Sequence, residues 1–323
     1  MNRYARQMIL PELGQTGQDI LSNAHVLVVG AGGLGVPVLQ YLVGAGVGKI
    51  TLVDPDVVEQ SNLHRQTLYG TQWIGQPKVI AAREILADLN PDCIVDGQQT
   101  TLDPANAPVL VAPVDLVLDC ADSFAASYIL SDICLDTQTP LITASALGMA
   151  GYVGGFCAGA PSLRAVFPDL PDRAANCATA GVLGPVVGTI GAMQAQMALA
   201  VLLKFNPSPL GQMVQHNAKT FRTSSFRFDH APEPTGNNFR FVAASQFTPN
   251  DIIIELRDEA EAPTPAHPNA IRTSVADISK LAPPATDQRM VMCCRSGLRS
   301  WQASAKFQLK WDGQIVLAAL GDN

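Results

Sequence analysis

His25-Val26-Leu27-Val28-Val29-Gly30-Ala31-Gly32-Gly33-Leu34-Gly35 is an apolar run that ends in a turn rich in glycine. Val26 to Val29 is short and mostly β-branched, which suits a parallel strand buried on both faces. Val36 to Ala45 reads as the helix that follows, and Ile50 to Val53 as a second strand ending at Asp54. Strand, glycine turn, helix and strand make a βαβ unit, with G-x-G-x-x-G at Gly30, Gly32 and Gly35 and an acid 24 residues past Gly30. Glycines there let the backbone approach an anion, whose charge is met by amides at the helix N-terminus. Asp54 can accept hydrogen bonds from ribose hydroxyls. Taken alone, this fingerprint favours a dinucleotide.

The residues that follow change the expectation. Ser61-Asn62-Leu63-His64-Arg65-Gln66 and Gln76-Pro77-Lys78 come just beyond the second strand. A nicotinamide-linked oxidoreductase has little use for Asn62, Arg65, Gln66 and Lys78 there, whereas a nucleoside triphosphate does. Arginine and lysine offset the charge that grows on an α-phosphate and on departing pyrophosphate. A further apolar strand, Val114 to Leu118, runs into Asp119-Cys120-Ala121-Asp122-Ser123. Acids at the carboxyl end of a parallel strand face the crevice where open α/β sheets bind ligands. Asp122 is then a candidate magnesium ligand, because Mg²⁺ usually takes one or two carboxylates plus substrate phosphates. A helix (Phe124 to Asp136) and strands at Leu141 to Ala144 and Val153 to Cys157 continue the pattern. The expected fold is α/β, a Rossmann-like sheet with flanking helices.

The bulk composition agrees. Of 323 residues, 47% are hydrophobic and 15% charged, with a formal net charge of −7, so a well-buried globular protein is expected and nonspecific nucleic-acid binding is not. The length favours one large and one small folding unit. Val182 to Leu203 is apolar but broken by Gly, Pro, Gln and Thr, which predicts a buried helix rather than a membrane span. Met1 to Gln7 lacks an apolar secretory core, so a cytoplasmic location is expected. Seven cysteines in no CxxC spacing predict reduced thiols. Residues 1–24 read as a helical arm with Arg3 and Arg6 on adjacent turns.

With these motifs in order, the chain resembles the ubiquitin-activating-like adenylyltransferases of the MoeB/ThiF/HesA group. The resemblance spans about residues 1–225 and rests on Arg3-Tyr4-Ala5-Arg6-Gln7, the glycine turn, Asp54-Pro55-Asp56, Ser61 to Gln66, Gly75-Gln76-Pro77-Lys78, Asp119 to Asp122, and Asn176-Cys177-Ala178-Thr179-Ala180-Gly181-Val182-Leu183-Gly184. It implies a homodimer that uses Mg-ATP to adenylate the C-terminal glycine of a ubiquitin-like sulfur-carrier protein ending in Gly-Gly. By position it implies that Gly33 lies beside ATP, that Asp54 holds the ribose, that Asn62, Arg65 and Lys78 face the phosphates, and that Asp122 handles the metal. Asp56, Ser61, Leu63, His64, Gln66 and Ser123 complete the nucleotide-binding set. Arg6 would reach into the partner subunit's site, and Cys177 matches a loop cysteine that in some members links covalently to the carrier. Many members also hold a structural zinc ion with two CxxC pairs. Here Ser162 and Ala165 stand at the first pair, and Phe228 to Pro232 at the second contains no cysteine. A tetrahedral zinc site needs four such donors, so zinc is expected to be absent.

Residues 229–245 carry Pro232, Pro234, Gly236 and paired asparagines, which is linker chemistry. Beyond them, Arg289-Met290-Val291-Met292-Cys293-Cys294 reads as a strand entering the turn Arg295-Ser296-Gly297-Leu298-Arg299, with a helix from Trp301 to Leu309. Backbone N–H groups and two guanidinium groups around Cys294 would favour a thiolate or persulfide. Cys293 should face the opposite side of the strand. This stretch resembles a short rhodanese domain, with a C-R-S-G-x-R loop and Glu255-Leu256-Arg257 in place of the family's Asp-Val-Arg. The expected organisation is 1–228 for adenylation, 229–245 as linker and 246–323 as the rhodanese-like part. Together they predict adenylation of a carrier followed by sulfur transfer from Cys294, loaded by a donor such as a cysteine desulfurase or thiosulfate. The alternative is a carrier-binding or adenylation-only protein with an inert C-terminal part.

Overall fold

A computed structural model of the chain describes residues 3–170, 181–235 and 238–321. Strands β1 (His25–Val29), β2 (Lys49–Val53), β3 (Ile94–Gln98), β4 (Leu116–Asp119), β5 (Leu141–Leu147), β6 (Ala150–Phe156), β7 (Gln212–Asn217) and β8 (Arg222–Arg227) form one sheet in the order β3-β2-β1-β4-β5-β6-β7-β8. β3 to β5 pair in parallel, and β6 to β8 add an antiparallel extension. The chain winds outward from β1 to β3, then returns to place β4 on the other side of β1. The crevice at that reversal, between the carboxyl ends of β1 and β4, is where such sheets bind ligands.

The strand alternation decides the two layers. Val26 and Val28 point into one core with Ile50, Leu52, Leu116 and Leu118, covered by α2 (Gly35–Ala45), α3 (Lys78–Leu89) and α7 (Gly184–Leu202). Leu27 and Val29 point the other way, toward Val53, Val117 and the helices α4 (Ala107–Val111) and α5 (Phe124–Thr137). Of the described helices, α7 alone is long and apolar enough to cross a membrane by length and composition. In this fold it is the core helix that packs on α2, β5 and β6, with Val186, Val187, Ile190 and Gln194 buried.

Strands β9 (Ile252–Glu255), β10 (Ile271–Arg272), β11 (Arg289–Cys294) and β12 (Gln314–Ala319) form a second, all-parallel sheet in the order β10-β9-β11-β12. Helix α8 (Leu298–Gln308) lies against it. One face of this sheet, with Ile254, Met292, Cys294 and Leu317, joins the same core as α5; the other, with Ile253, Val291 and Cys293, makes a small separate cluster. The two adjacent cysteines thus face opposite sides, as the strand period requires.

One expectation is corrected. The N-terminal arm is not helical: residues 3–13 form successive turns and α1 spans Gly14–Asn23. Pro11 supplies no N–H to continue a helix, and Gly14 has a φ of +57°. The arm is instead tied by hydrogen bonds from Arg3 to the Leu89 carbonyl, from Asn90 to the Tyr4 hydroxyl, and from Gln7 to the Ala45 carbonyl. The end of the expected linker is packed: Phe239 and Phe241 are buried and the Val242 N–H donates to the Leu317 carbonyl on β12.

Near Ser162, one of the positions that the resemblance marks for a zinc ligand, the structure shows a cluster of hydrogen bonds. The Glu233 carboxylate accepts from the Ser162 N–H at 2.7 Å and from its hydroxyl at 2.6 Å, and Ser162 Oγ caps α6 (Leu163–Val166) by accepting from the Ala165 N–H at 3.2 Å. Phe228 stacks on Phe156 with ring centroids 5.1 Å apart. No group of three or more His, Cys, Asp or Glu among the described residues is arranged to hold a metal. Glu233→Ala should therefore lower stability by about 1–2 kcal/mol in denaturant unfolding, since charge-assisted hydrogen bonds of this kind are lost. A metal chelator should leave the wild-type midpoint unchanged; a drop on chelation would reveal a metal in this lobe.

Candidate functional site

The site begins with a close passage. Gly30, at the end of β1, has a φ of +101°, and a side-chain carbon there would lie 2.6 Å from the Cys120 carbonyl oxygen at the end of β4. A carbon on Gly35 would sit 1.9 Å from the Gly30 oxygen. Only glycine permits this fold-back of the turn against β4. The Ala31 peptide between them is gripped from both sides. Its N–H donates to Asp54 Oδ2 at 2.7 Å, and its carbonyl accepts from the Tyr69 hydroxyl at 2.9 Å.

Asp54 is 6% exposed, and its Oδ1 accepts from the Asp56 N–H at 2.8 Å. Burial raises its carboxyl above the usual range, against the pull of Lys78 and the two N–H donors. Lys78, at the start of α3, is also buried and pairs with the exposed Asp56 at 2.8 Å. Arg65 lies over the glycine turn: its Cγ is 3.7 Å from where a Gly33 side chain would begin. Its guanidinium donates to Asn62 Oδ1 at 2.6 Å and to the Ser61 carbonyl at 3.3 Å, and rests 2.9 Å from His64 Nε2. Gln66 reaches toward Gly32, and its buried Oε1 has no partner among the described residues. Contacts therefore link Gly30, Gly32, Gly33, Gly35, Asp54, Asp56, Ser61, Asn62, His64, Arg65, Gln66 and Lys78 around the glycine turn, and Leu63 packs half-buried against the first core. Asp122 is exposed and Ser123 half-buried, just past the Ala121 N–H that lies against Gly30. Arg6 is exposed on the N-terminal arm. Cys177 lies outside the described residues.

Two contributors, Tyr69 and Gln194, escape the motif reading. Tyr69 carries no pattern that marks it. Gln194 is a fully buried amide on the apolar α7; it donates to the carbonyls of Asp119 (2.7 Å) and Ile142 (3.0 Å) and fixes β4 against β5 at the crevice. Its sequence signal is an amide inside an apolar run, which it shares with the exposed Gln196. Asp119 is fully buried, and burial pushes its carboxyl up to about 6, opposed by Ser127, the Ala121 N–H and Thr143.

At the second sheet, Cys294 is fully buried and its Sγ accepts from the Gly297 N–H at 3.1 Å and from the Ser300 N–H at 3.4 Å. Of the two guanidinium groups expected around the sulfur, Arg299 lies within electrostatic reach of Cys294 but directs its hydrogen bonds elsewhere, to Glu261 in a bidentate pair and to the Leu256 carbonyl. Arg295 is exposed. Glu255 and Arg257 pair at 2.9 Å while nearly fully buried, and hold the β9 end of this loop cluster.

Two outcomes follow. Tyr69→Phe leaves the buried Ala31 carbonyl without its donor and should lower stability by about 1–3 kcal/mol in urea unfolding; an unchanged midpoint would contradict this role. Asp119 binds a proton more tightly in the native than in the unfolded chain, so its contribution is complete below pH 3.8 and fades as pH rises through about 6. Relative to Asp119→Asn, the wild type should lose up to about 3 kcal/mol of stability between pH 4 and pH 7 in urea unfolding; a constant difference would contradict the assignment.

Known proteins share this sequence and fold. The adenylyltransferase and sulfurtransferase uba4 of Emericella nidulans is 43% identical over 242 residues, which are 70% of this chain and 50% of that protein. The adenylyltransferase and sulfurtransferase MOCS3 of Drosophila virilis is 43% identical over 216 residues, 66% of this chain and 48% of that one. The chain thus spans about half the length of these curated relatives. Crystal structures of E. coli MccB share the fold: one with MccA-N7isoASN superposes with a TM-score of 0.65 at 23% identity, covering 72% of this chain and 74% of that one. Another, with ATP, gives 0.62 at 22% identity and covers 72% and 73%. The ThiF family matches residues 4–237, and with most of the chain inside that match and its glycine turn, Asp54, Arg65 and Lys78 in one crevice, the chain belongs to the ThiF family.

Proposed function

We propose that the chain adenylates the C-terminal glycine of a ubiquitin-like sulfur-carrier protein with ATP and then passes it sulfur from a persulfide on Cys294. One observation carries the first half: two cationic side chains, Arg65 and Lys78, stand at the same switch-point crevice as the glycine turn and Asp54. A dinucleotide needs no such pair, whereas pyrophosphate leaving an α-phosphate does. In this reading the turn amides meet the phosphates, Asp54 and the unpartnered Gln66 Oε1 accept from ribose hydroxyls, and Asn62 fixes the Arg65 fork. The carrier's terminal carboxylate oxygen attacks the α-phosphorus and pyrophosphate leaves. Arg65 and Lys78 offset the charge that this develops, although Lys78 must exchange Asp56 for phosphate. Relatives named as adenylyltransferases support the reading, as does the MccB fold, which has been seen with ATP.

Magnesium fits as a partner of the phosphates. Asp122 is one exposed carboxylate at the crevice, and Mg²⁺ asks for one or two carboxylates with substrate phosphates completing its shell. When bound it would neutralise phosphate charge.

For the second half, the Cys294 thiolate takes the outer sulfur of a donor such as thiosulfate, breaking its S–S bond and releasing sulfite. A cysteine desulfurase is the other donor class. The terminal persulfide sulfur then attacks the acyl-adenylate carbonyl and AMP leaves, giving an acyl disulfide. A thiol reductant cleaves its S–S bond to release the thiocarboxylate. Cys177 is a candidate relay in this step. A homodimer in which Arg6 completes the partner's site, a cytoplasmic setting, and a division into 1–228, 229–245 and a rhodanese-like 246–323 belong to the same proposal.

The test is ATP–pyrophosphate exchange with a carrier ending in Gly-Gly. Exchange should depend on the carrier and fall by roughly 10² or more in Arg65→Ala and Asp122→Ala, the size expected for losing one charge-stabilising group. Absence of exchange with any such carrier would overturn adenylation. Exchange without thiocarboxylate would leave adenylation alone.

A further inference from the structure

The loop around Cys294 is docked against the first unit. A side-chain carbon built on Gly297 would lie 2.7 Å from the Phe241 ring and 3.6 Å from Ala125 Cβ, in the first turn of α5. Trp301, one turn into α8, sits 5.5 Å from the Tyr128 ring of α5 and 5.4 Å from Phe239. The Arg164 guanidinium lies over both Tyr128 and Trp301 while paired with Asp132 of α5 at 2.6 Å. At the margin, Arg240 makes two bonds to Asp136 of α5, at 2.8 and 3.1 Å. Cys294, Trp301, Phe239, Phe241, Ala125 and Tyr128 all belong to one buried core. Yet Arg295 and Ser296, next to the cysteine, are exposed. The loop therefore rises toward solvent at Arg295 and Ser296, while its sulfur is buried among its own N–H groups and the residues on either side of it, Gly297 and Trp301, are held against α5 and the Phe239–Phe241 segment.

This has a chemical consequence. A donor sulfur must approach Cys294 Sγ along the line of the bond it breaks, and a fully buried sulfur offers no such line. We propose that the first turn of α5 is the docking surface for the chain's own Cys294 loop, and that docking closes Cys294 to sulfur donors, so that persulfide loading takes place only in an undocked state. The closed contact also sets the sulfur loop on the helix that starts directly after Asp122 and Ser123, beside the nucleotide crevice. Loading and delivery are thus separated by one motion of the Cys294 loop away from α5. This rests on the persulfide reading of Cys294.

The experiment uses the full chain and alkylation by iodoacetamide under native conditions, with modification of the Cys294 peptide followed by mass spectrometry. Wild-type Cys294 should react at least roughly 100-fold more slowly than in urea, because access requires opening. Arg240→Asp should speed it about threefold to fivefold, the effect of removing an exposed ion pair, and adding Asp136→Arg should restore the slow rate. Phe241→Ala should speed it roughly tenfold or more. Fast labelling of the wild type, or slow labelling that neither variant changes, would overturn the docking proposal. The charge-swapped pair covers the case in which Phe241→Ala fails to fold. Sulfite release from thiosulfate, measured in parallel, should rise with the labelling rate. If labelling rises and no sulfite appears, the persulfide reading fails while the docking stands.

Discussion

The passage of Gly30 against the Cys120 carbonyl fixes where β1 and β4 part, and the site is built on that contact. The missing side chain lets the turn fold back on β4, which leaves the Ala31 peptide between Asp54 and Tyr69. With both its polar groups held, the turn can present amides to an anion without reorganising, and preorganised donors are worth more than mobile ones. Gln194 fixes the same point from beneath, by holding the β4 and β5 carbonyls to α7. A helix that could be mistaken for a membrane span is thereby the floor of the crevice.

The second dependence is the shared core. The C-terminal sheet gives one face to its own small cluster and the other to α5, so Cys293 and Cys294 have different neighbours although they are adjacent. Burial raises the Cys293 thiol far above its ordinary range, which suits an inert packing residue. Cys294 instead receives two backbone N–H groups at the start of α8.

Much of this was legible in the sequence because local chemistry dictated it. The glycine turn, β1, β2, α2, α5 and β11 follow from apolar runs and turn residues, and the crevice residues fall within a few short motifs. The exposed strands were not legible: β8, Arg222–Arg227, has no buried residue, and its pairing with β7 comes from the hairpin rather than from any alternation. β3 carries Asp96 and Gly97 and forms because β2 offers it an open edge. Tyr69 and Gln194 act by tertiary contact over 38 and more residues, which no spacing records. The buried phenylalanines in the expected linker are the same case, because their partners lie on α8 and β12.

The most direct measurement is the intact mass of a Gly-Gly carrier after incubation with this chain, ATP, magnesium, thiosulfate and a thiol reductant. A carrier in which one oxygen has been replaced by sulfur, formed only with ATP and lost both in Arg65→Ala and in Cys294→Ala, is the expected result. A carrier of unchanged mass, or one converted equally well without ATP, would contradict the coupling of the nucleotide crevice to the Cys294 loop.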